Sequence, residues 1–349
     1  MMHFVKMVVK GCMQRYQSIV QPKKTIFRAS RDKGCQYLLA KQRPDGSFGD
    51  PQKGVKGYFK ILMAFHACGF TKEAHQLCQW IRSSGMTVDG NFCPRPQGKQ
   101  EYGYIYPNSW IIIGAHQLGA FDISQRGMDF LLTFHDQKSG GFYSSRLERE
   151  ASTKQDLIYV GFAGLAALYT GRIDIARGVG CWMKTLLNIQ PTFPEELYTV
   201  YNREQGLCTQ YDSKEISRYF LSGTATTGDQ PFFQVGVAGG FLSELFLATG
   251  ENDWLNLAMQ YMQFAEMAHD HLYRSVRAGK VGWAASLLYS LTGERKYQEM
   301  ANRVGDFLVS YQAEQGYWTT TTGKTASNDI TAEMVLWLDA INNVVSQPK

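Results

Sequence analysis

Residues 33–48 read KGCQYLLAKQRPDGSF, and residues 303–318 read RVGDFLVSYQAEQGYW. Superimposed, they carry the same residue types at the same spacing. A basic residue (Lys33, Arg303) is followed by an aromatic (Tyr37, Phe307) and a Leu. Then come a Gln (Gln42, Gln312), a Gly (Gly46, Gly316) and a second aromatic (Phe48, Trp318). The first aromatic and the Leu belong on the apolar face of a helix that ends near the Gln. The Gly lets the chain turn back, because it tolerates positive φ, and the last aromatic then packs on the helix end. The Gln amide can bond to the free carbonyls of that end and to a neighbouring N–H. Such a unit near both ends of one chain marks a repeat architecture.

Looser copies lie between. Arg126–Phe142 has His135 in place of the Gln and one extra residue; Trp80–Phe92 keeps the aromatic and the Gly-Asn-Phe turn. Around these units the hydrophobic period predicts alternating helices. Those near 25–42, 72–82, 124–135, 174–188, 253–269 and 295–311 are amphipathic. Those near 58–68, 109–118, 156–170, 232–249, 281–292 and 330–345 are apolar on most sides, so they must be buried all round. The apolar helices stop at Gly69, Gly119, Gly171, Gly250 and Gly293, the expected left-handed caps. The short connections that follow force antiparallel hairpins. Small residues such as Gly161, Gly164, Gly236 and Gly240 let the inner helices approach closely. The expected fold is all-α, an (α/α)6 toroid over residues 25–349, preceded by an N-terminal helix or arm over 1–24. An open superhelical solenoid is the alternative, and complete units near both ends favour closure. Residues 190–230 show no helical period and are long for a loop, so they read as a lid or insertion. No strand pattern of any length is visible.

The repeated unit resembles the QW repeat of squalene-hopene and oxidosqualene cyclases, within the toroids of terpenoid cyclases and protein prenyltransferases. The resemblance implies the toroid and a greasy polyene or isoprenoid substrate. The catalytic signatures of those groups are absent. There is no Asp-x-Asp-Asp acid, for which Ser327-Asn328-Asp329-Ile330 is no substitute, and no Asp-Asp-x-x-Asp. Cys208 and Asp212 have no His at a zinc-binding spacing, and the Cys-His pair of lanthionine cyclases is missing. Neither a Gly-rich phosphate loop nor a Gly-x-Ser-x-Gly elbow occurs. The expectation is chemistry with no metal and no cofactor.

A net charge of +5 spread over 349 residues, without a dense Lys/Arg stripe, argues against nucleic-acid binding. The aromatic share of 13% suits a cavity as well as a core. Seven cysteines, an odd number with no Cys-x-x-Cys, read as reduced thiols in a cytoplasmic protein. The N-terminal MMHFVKMVVKGCMQRY is interrupted by Lys6 and Lys10 and is expected to be neither signal peptide nor spanning helix. A small amphipathic anchor with peripheral membrane contact stays open, and the sequence carries no signal for oligomeric state.

In such a toroid the Gly turns lie on one face, and longer loops lead into the inner helices on the other. Helix N-termini offer free N–H groups and partial positive charge, so that face is the expected site. Asp50, Asp156, Asp229 and Asp329 stand there, of which Asp156, Asp229 and Asp329 are the catalytic candidates. The substrate-binding candidates are Tyr58, Tyr104, Tyr106, Asn108, Trp110, Tyr159, Phe232, Phe233, Arg277, Trp283 and Glu333; Arg274 and Lys280 add positive charge. Each Asp reads equally well as an N-cap, and the aromatics as upper core. Asp329 and Glu333 lie four apart on one helix face; paired carboxylates in a dry pocket would split into an acid and a base.

The first expected function is a cyclase or isomerase of specialised metabolism, holding a polyene in an aromatic central cavity. The second is a carbohydrate-active toroid, a sugar epimerase, glycosidase or lyase using paired carboxylates. The third is a non-catalytic toroid that sequesters a lipid.

Overall fold

The computed structural model describes residues 23–49, 51–95, 102–211, 219–224, 230–320 and 325–345. The expected N-terminal arm falls almost wholly outside them. Among the described residues the outer helices are α1 (Lys23–Leu39), α3 (Thr71–Trp80), α5 (Phe121–Leu132), α7 (Ile173–Asn188), α9 (Asn252–Met267) and α11 (Arg295–Tyr311). The inner ones are α2 (Ile61–Ala67), α4 (Tyr106–Gln117), α6 (Leu157–Tyr169), α8 (Phe233–Thr249), α10 (Gly279–Thr292) and α12 (Asn328–Val345).

Each inner helix packs on the next, and α12 packs back on α2, so the inner ring closes. α3, α5, α7, α9 and α11 each back the inner helix that precedes them, and α1 covers α12. This is the all-α (α/α)6 toroid, not the open solenoid. The two helix classes differ as their sequences require. α6 and α8 are buried along most of their lengths. α11 buries one stripe, Tyr297, Met300, Ala301, Val304, Gly305 and Leu308, at helical spacing. The five hairpin glycines, Gly69, Gly119, Gly171, Gly250 and Gly293, all sit at φ of 71–79°.

The repeated unit is a joint between neighbouring outer helices. Gln42 Nε2 donates to the Gly46 carbonyl of its own turn at 3.2 Å and to the Glu73 carbonyl of α3 at 2.9 Å. Gln312 Nε2 does the same to Gly316 at 2.9 Å and to Ser30 of α1 at 2.9 Å. Gly46 and Gly316 have φ of 85° and 96°. A Cβ there would fall 2.4 Å from the Gln76 carbonyl and 2.6 Å from the Lys33 carbonyl. The aromatics that close these turns, Phe48 and Trp318, are buried, as are Phe92 and Phe142 of the looser copies.

Residues 196–222 contain short strands, correcting the expectation of no strands. β1 (Gln155–Asp156) pairs antiparallel with β3 (Val200–Asn202), which pairs with β4 (Gly206–Leu207). β2 (Glu196–Tyr198) pairs with β5 (Phe220–Ser222). Strands of two or three residues are too short to show alternation. The ladder ties this segment to the start of α6. Among the described residues no helix is long and apolar enough to cross a membrane.

Candidate functional site

The inner helices begin on the loop-bearing face, and a buried ionic cluster gathers there. Lys60 stands directly before α2, in Tyr58–Phe65 (YFKILMAF), where it is the lone charge in an apolar run. Lys280 is in the first turn of α10, and Asp329 and Glu333 occupy successive turns of α12. Lys60 Nζ bonds Glu333 Oε2 and pairs with Asp329; Lys280 Nζ bonds Glu333 Oε1. Trp337, one further turn down α12, donates from Nε1 to Glu333 Oε1 at 3.1 Å. A helix rises about 6 Å in four residues, so Asp329, Glu333 and Trp337 are three depths on one face. Asp329 keeps 34% of its side chain exposed and Glu333 only 9%. Lys280 is held in place partly by a glycine: a Cβ on Gly236 of α8 would fall 2.3 Å from the Lys280 backbone.

Aromatic rings surround the two ammonium groups. Lys60 lies 4.9–5.6 Å from the rings of Phe59, Tyr106 and Trp110. Lys280 lies 5.6–5.9 Å from Trp110, Phe162, Phe233 and Trp337. Such contacts favour cations. Deeper along the axis the rings pack on one another. Trp110 stacks on Phe162 at 4.6 Å and Trp283 on Trp337 at 5.3 Å. Part of the expected aromatic lining is thus engaged in ring–ring contacts, while Tyr106, Tyr159, Phe233 and Asp329 remain part-exposed near the cluster.

The electrostatics follow from burial and pairing. Burial alone would raise the Glu333 pKa, but Lys280 and Lys60 outweigh it and hold the carboxyl at about 2. Burial also works against the Lys60 ammonium, yet Asp329 and Glu333 together push its pKa above the ordinary lysine value. On Lys280 burial weighs most; Glu333 opposes it, Lys60 reinforces it, and Asp329 opposes it least. Burial wins there, and its pKa is lowered. Lys280 is thus the more easily deprotonated of the two.

Asp156 is the N-cap of α6, accepting from the Ile158 N–H at 3.4 Å, and is almost fully buried. Tyr102 Oη donates to it at 3.4 Å and Gln234 Nε2 at 3.0 Å. It adjoins the mouth without joining the lysine cluster. Tyr58, Tyr104 and Asn108 do not face the centre. Tyr58 Oη donates to the Cys93 carbonyl at 2.6 Å, and Tyr104 Oη accepts from Asn91 Nδ2 at 2.7 Å. Asn108 bonds Arg95 and Asn91. All three serve the turn after α3. Phe232 is buried core. Arg277 stands on the short turn leading into α10. Asp229, like Asp50, lies outside the described residues. Lys60, Phe59, Phe162 and Trp337 are not among the sequence candidates. The lone Lys in an inner-helix apolar run is the available signal for the first. No three His, Cys, Asp or Glu side chains among the described residues stand together as metal ligands, and the six described cysteines are free thiols.

Fold and site together define an (α/α)6 toroid with an ionic cluster at its mouth. No protein-family model matches the sequence, and no curated protein matches it. Solved structures do. A D-mannose isomerase is similar over 91% of this chain and 97% of its own, with 14% identity and a TM-score of 0.69. A GH76 α-mannanase from Bacteroides thetaiotaomicron covers 91% and 96%, with 12% identity and a TM-score of 0.63. An unsaturated glucuronyl hydrolase specific for heparin covers 92% and 98%, with 11% identity and a TM-score of 0.58. These identities show the toroid fold. They also correct the expected polyene cyclase, since these neighbours are carbohydrate enzymes and not terpenoid cyclases. The buried lysines and carboxylates give the physical reason: a hydrocarbon chain would strip water from charges without replacing it.

Proposed function

We propose that the protein is a carbohydrate-active enzyme that moves a proton next to the carbonyl of an open-chain sugar, an isomerase or epimerase rather than a glycosidase. The observation that carries this reading is the convergence of Lys60 and Lys280 on Glu333 at the ring mouth. In the proposed step Lys280, whose proton burial makes easier to lose, passes that proton to solvent and takes the one on the carbon beside the carbonyl. The electron pair moves to the carbonyl oxygen, and the Lys60 ammonium stabilises the resulting oxyanion. The proton then returns to the neighbouring carbon or to the opposite face. Glu333 holds both lysines in place. Tyr106, Tyr159 and Phe233 offer ring faces to the sugar, and Asp329 accepts from its hydroxyls. Acid-assisted glycoside cleavage needs a carboxylic acid that stays protonated near neutral pH. Glu333, with a pKa of about 2, is ionised there. The similarity in fold to a D-mannose isomerase and to other sugar enzymes supports the substrate class.

The test is solvent exchange. Free aldoses and ketoses incubated with the protein in heavy water should gain deuterium at the carbon beside the carbonyl, read by proton NMR. Lys280→Met should slow exchange by about 100-fold or more, the usual contribution of a positioned acid or base. Release of a reducing sugar from glycosides, with no exchange, would replace this reading with hydrolysis.

A further inference from the structure

Beside the short strands lies a cavity of about 490 Å³, a volume typical of small-molecule sites. Ser152, Lys154, Asn202, Gln205, Cys208 and Thr209 are among its walls. Hydroxyls and amides predominate, the donors and acceptors that glycan hydroxyls pair with.

A wall of tyrosines joins this cavity to the ring mouth. Cys208 packs with Tyr219, and Lys154 lies 5.8 Å from the Tyr219 ring. Tyr219 meets Tyr102 at 5.7 Å, Tyr102 meets Tyr159 at 5.6 Å, and Tyr159 meets Tyr106 at 5.9 Å. Tyr102, Tyr159 and Tyr106 each keep part of their surface exposed. The path is longer than one sugar ring reaches.

We infer that the substrate is an oligosaccharide: one unit sits at the Lys60–Lys280–Glu333 cluster, and the following units run along the tyrosine wall into the cavity beside Lys154. This rests on the sugar reading above and adds a chain-length requirement to it.

Binding measured by calorimetry, with glucose, mannose, galactose and their linear di-, tri- and tetrasaccharides as probes, tests the inference. For at least one series the longer members should bind the native protein about tenfold tighter than the monosaccharide. Thr209→Trp fills the cavity from an exposed position and should bring that ratio close to one. Gln205→Ala, also at an exposed position, should lower it in the same direction. If monosaccharide and oligosaccharide bind equally well, or if the ratio survives Thr209→Trp, the oligosaccharide inference falls and the sugar reading stands. If no sugar of the panel binds, both fall.

Discussion

Glu333 is a carboxylate whose two oxygens each answer a buried lysine. Taking charges out of water is expensive, so the cluster is stable only while all its members are present. Glu333→Gln should cost about 3–5 kcal/mol, the usual effect of breaking a buried pair, read as a lower denaturant midpoint. The sign of the pH dependence is fixed too. The folded pKa is depressed, so the stabilisation is present above the unfolded value and is lost as the pH falls through the folded one. Stability should therefore decline between about 4.5 and about 2, and the Glu333→Gln variant should lack that component of the decline. Gly236→Ala should push the Lys280 backbone away, lowering sugar exchange more than it lowers the melting temperature. At this scale the sequence was legible where helix geometry alone sets the placement, though not for Asn108, which lies in α4 and bonds Arg95 and Asn91 instead. The spacing of Asp329 and Glu333 on one face and the cap at Asp156 both follow from helix geometry. Tyr58 and Tyr104 stand before their helices, where an irregular backbone sets side-chain direction, and both turn outward. Lys60 was not singled out from the sequence, because its partners on α10 and α12 are distant along the chain.

The turns after α1, α3, α5 and α11 each combine two demands on one glycine, at Gly46, Gly90, Gly140 and Gly316. Gly316 must hold positive φ and also leave room for the Lys33 carbonyl of α1. Gly250 also has positive φ, but a Cβ added there would meet no atom within 4 Å. Gly250→Ala should therefore cost about 1–2 kcal/mol, the left-handed penalty alone, whereas Gly316→Ala should cost clearly more. Chemical denaturation of the two variants side by side checks the difference. These turns were legible because a fixed spacing of Gln, Gly and aromatic has one mechanical use. The same mechanical origin explains why the family resemblance misled. The unit fastens one outer helix to the next around a toroid, whatever chemistry the toroid performs. The short strands were not legible, since their pairing depends on chain brought back from the start of α6.

At the scale of the whole molecule, closure rests on α1 covering α12, two helices with no covalent turn between them. Gly34 of α1 lies where a Cβ would touch Val335 of α12 and the ring of Trp318, so the fit is close. A chain lacking residues 1–39 should bind a dye for exposed apolar surface and lose its cooperative melting transition. The ring as a whole was legible from helix alternation, because an all-round apolar helix has nowhere to go but inside. Which of the inner rings would stack was not, because stacking depends on which inner-helix faces meet.

Lys60 and Glu333 are separated by 273 residues. A ribosome delivers the first long before the second. Until α12 docks, the lysine lacks both of its carboxylate partners and the ionic cluster does not exist. A product terminated before α12 thus carries a bare charge where the closed ring holds a neutralised one.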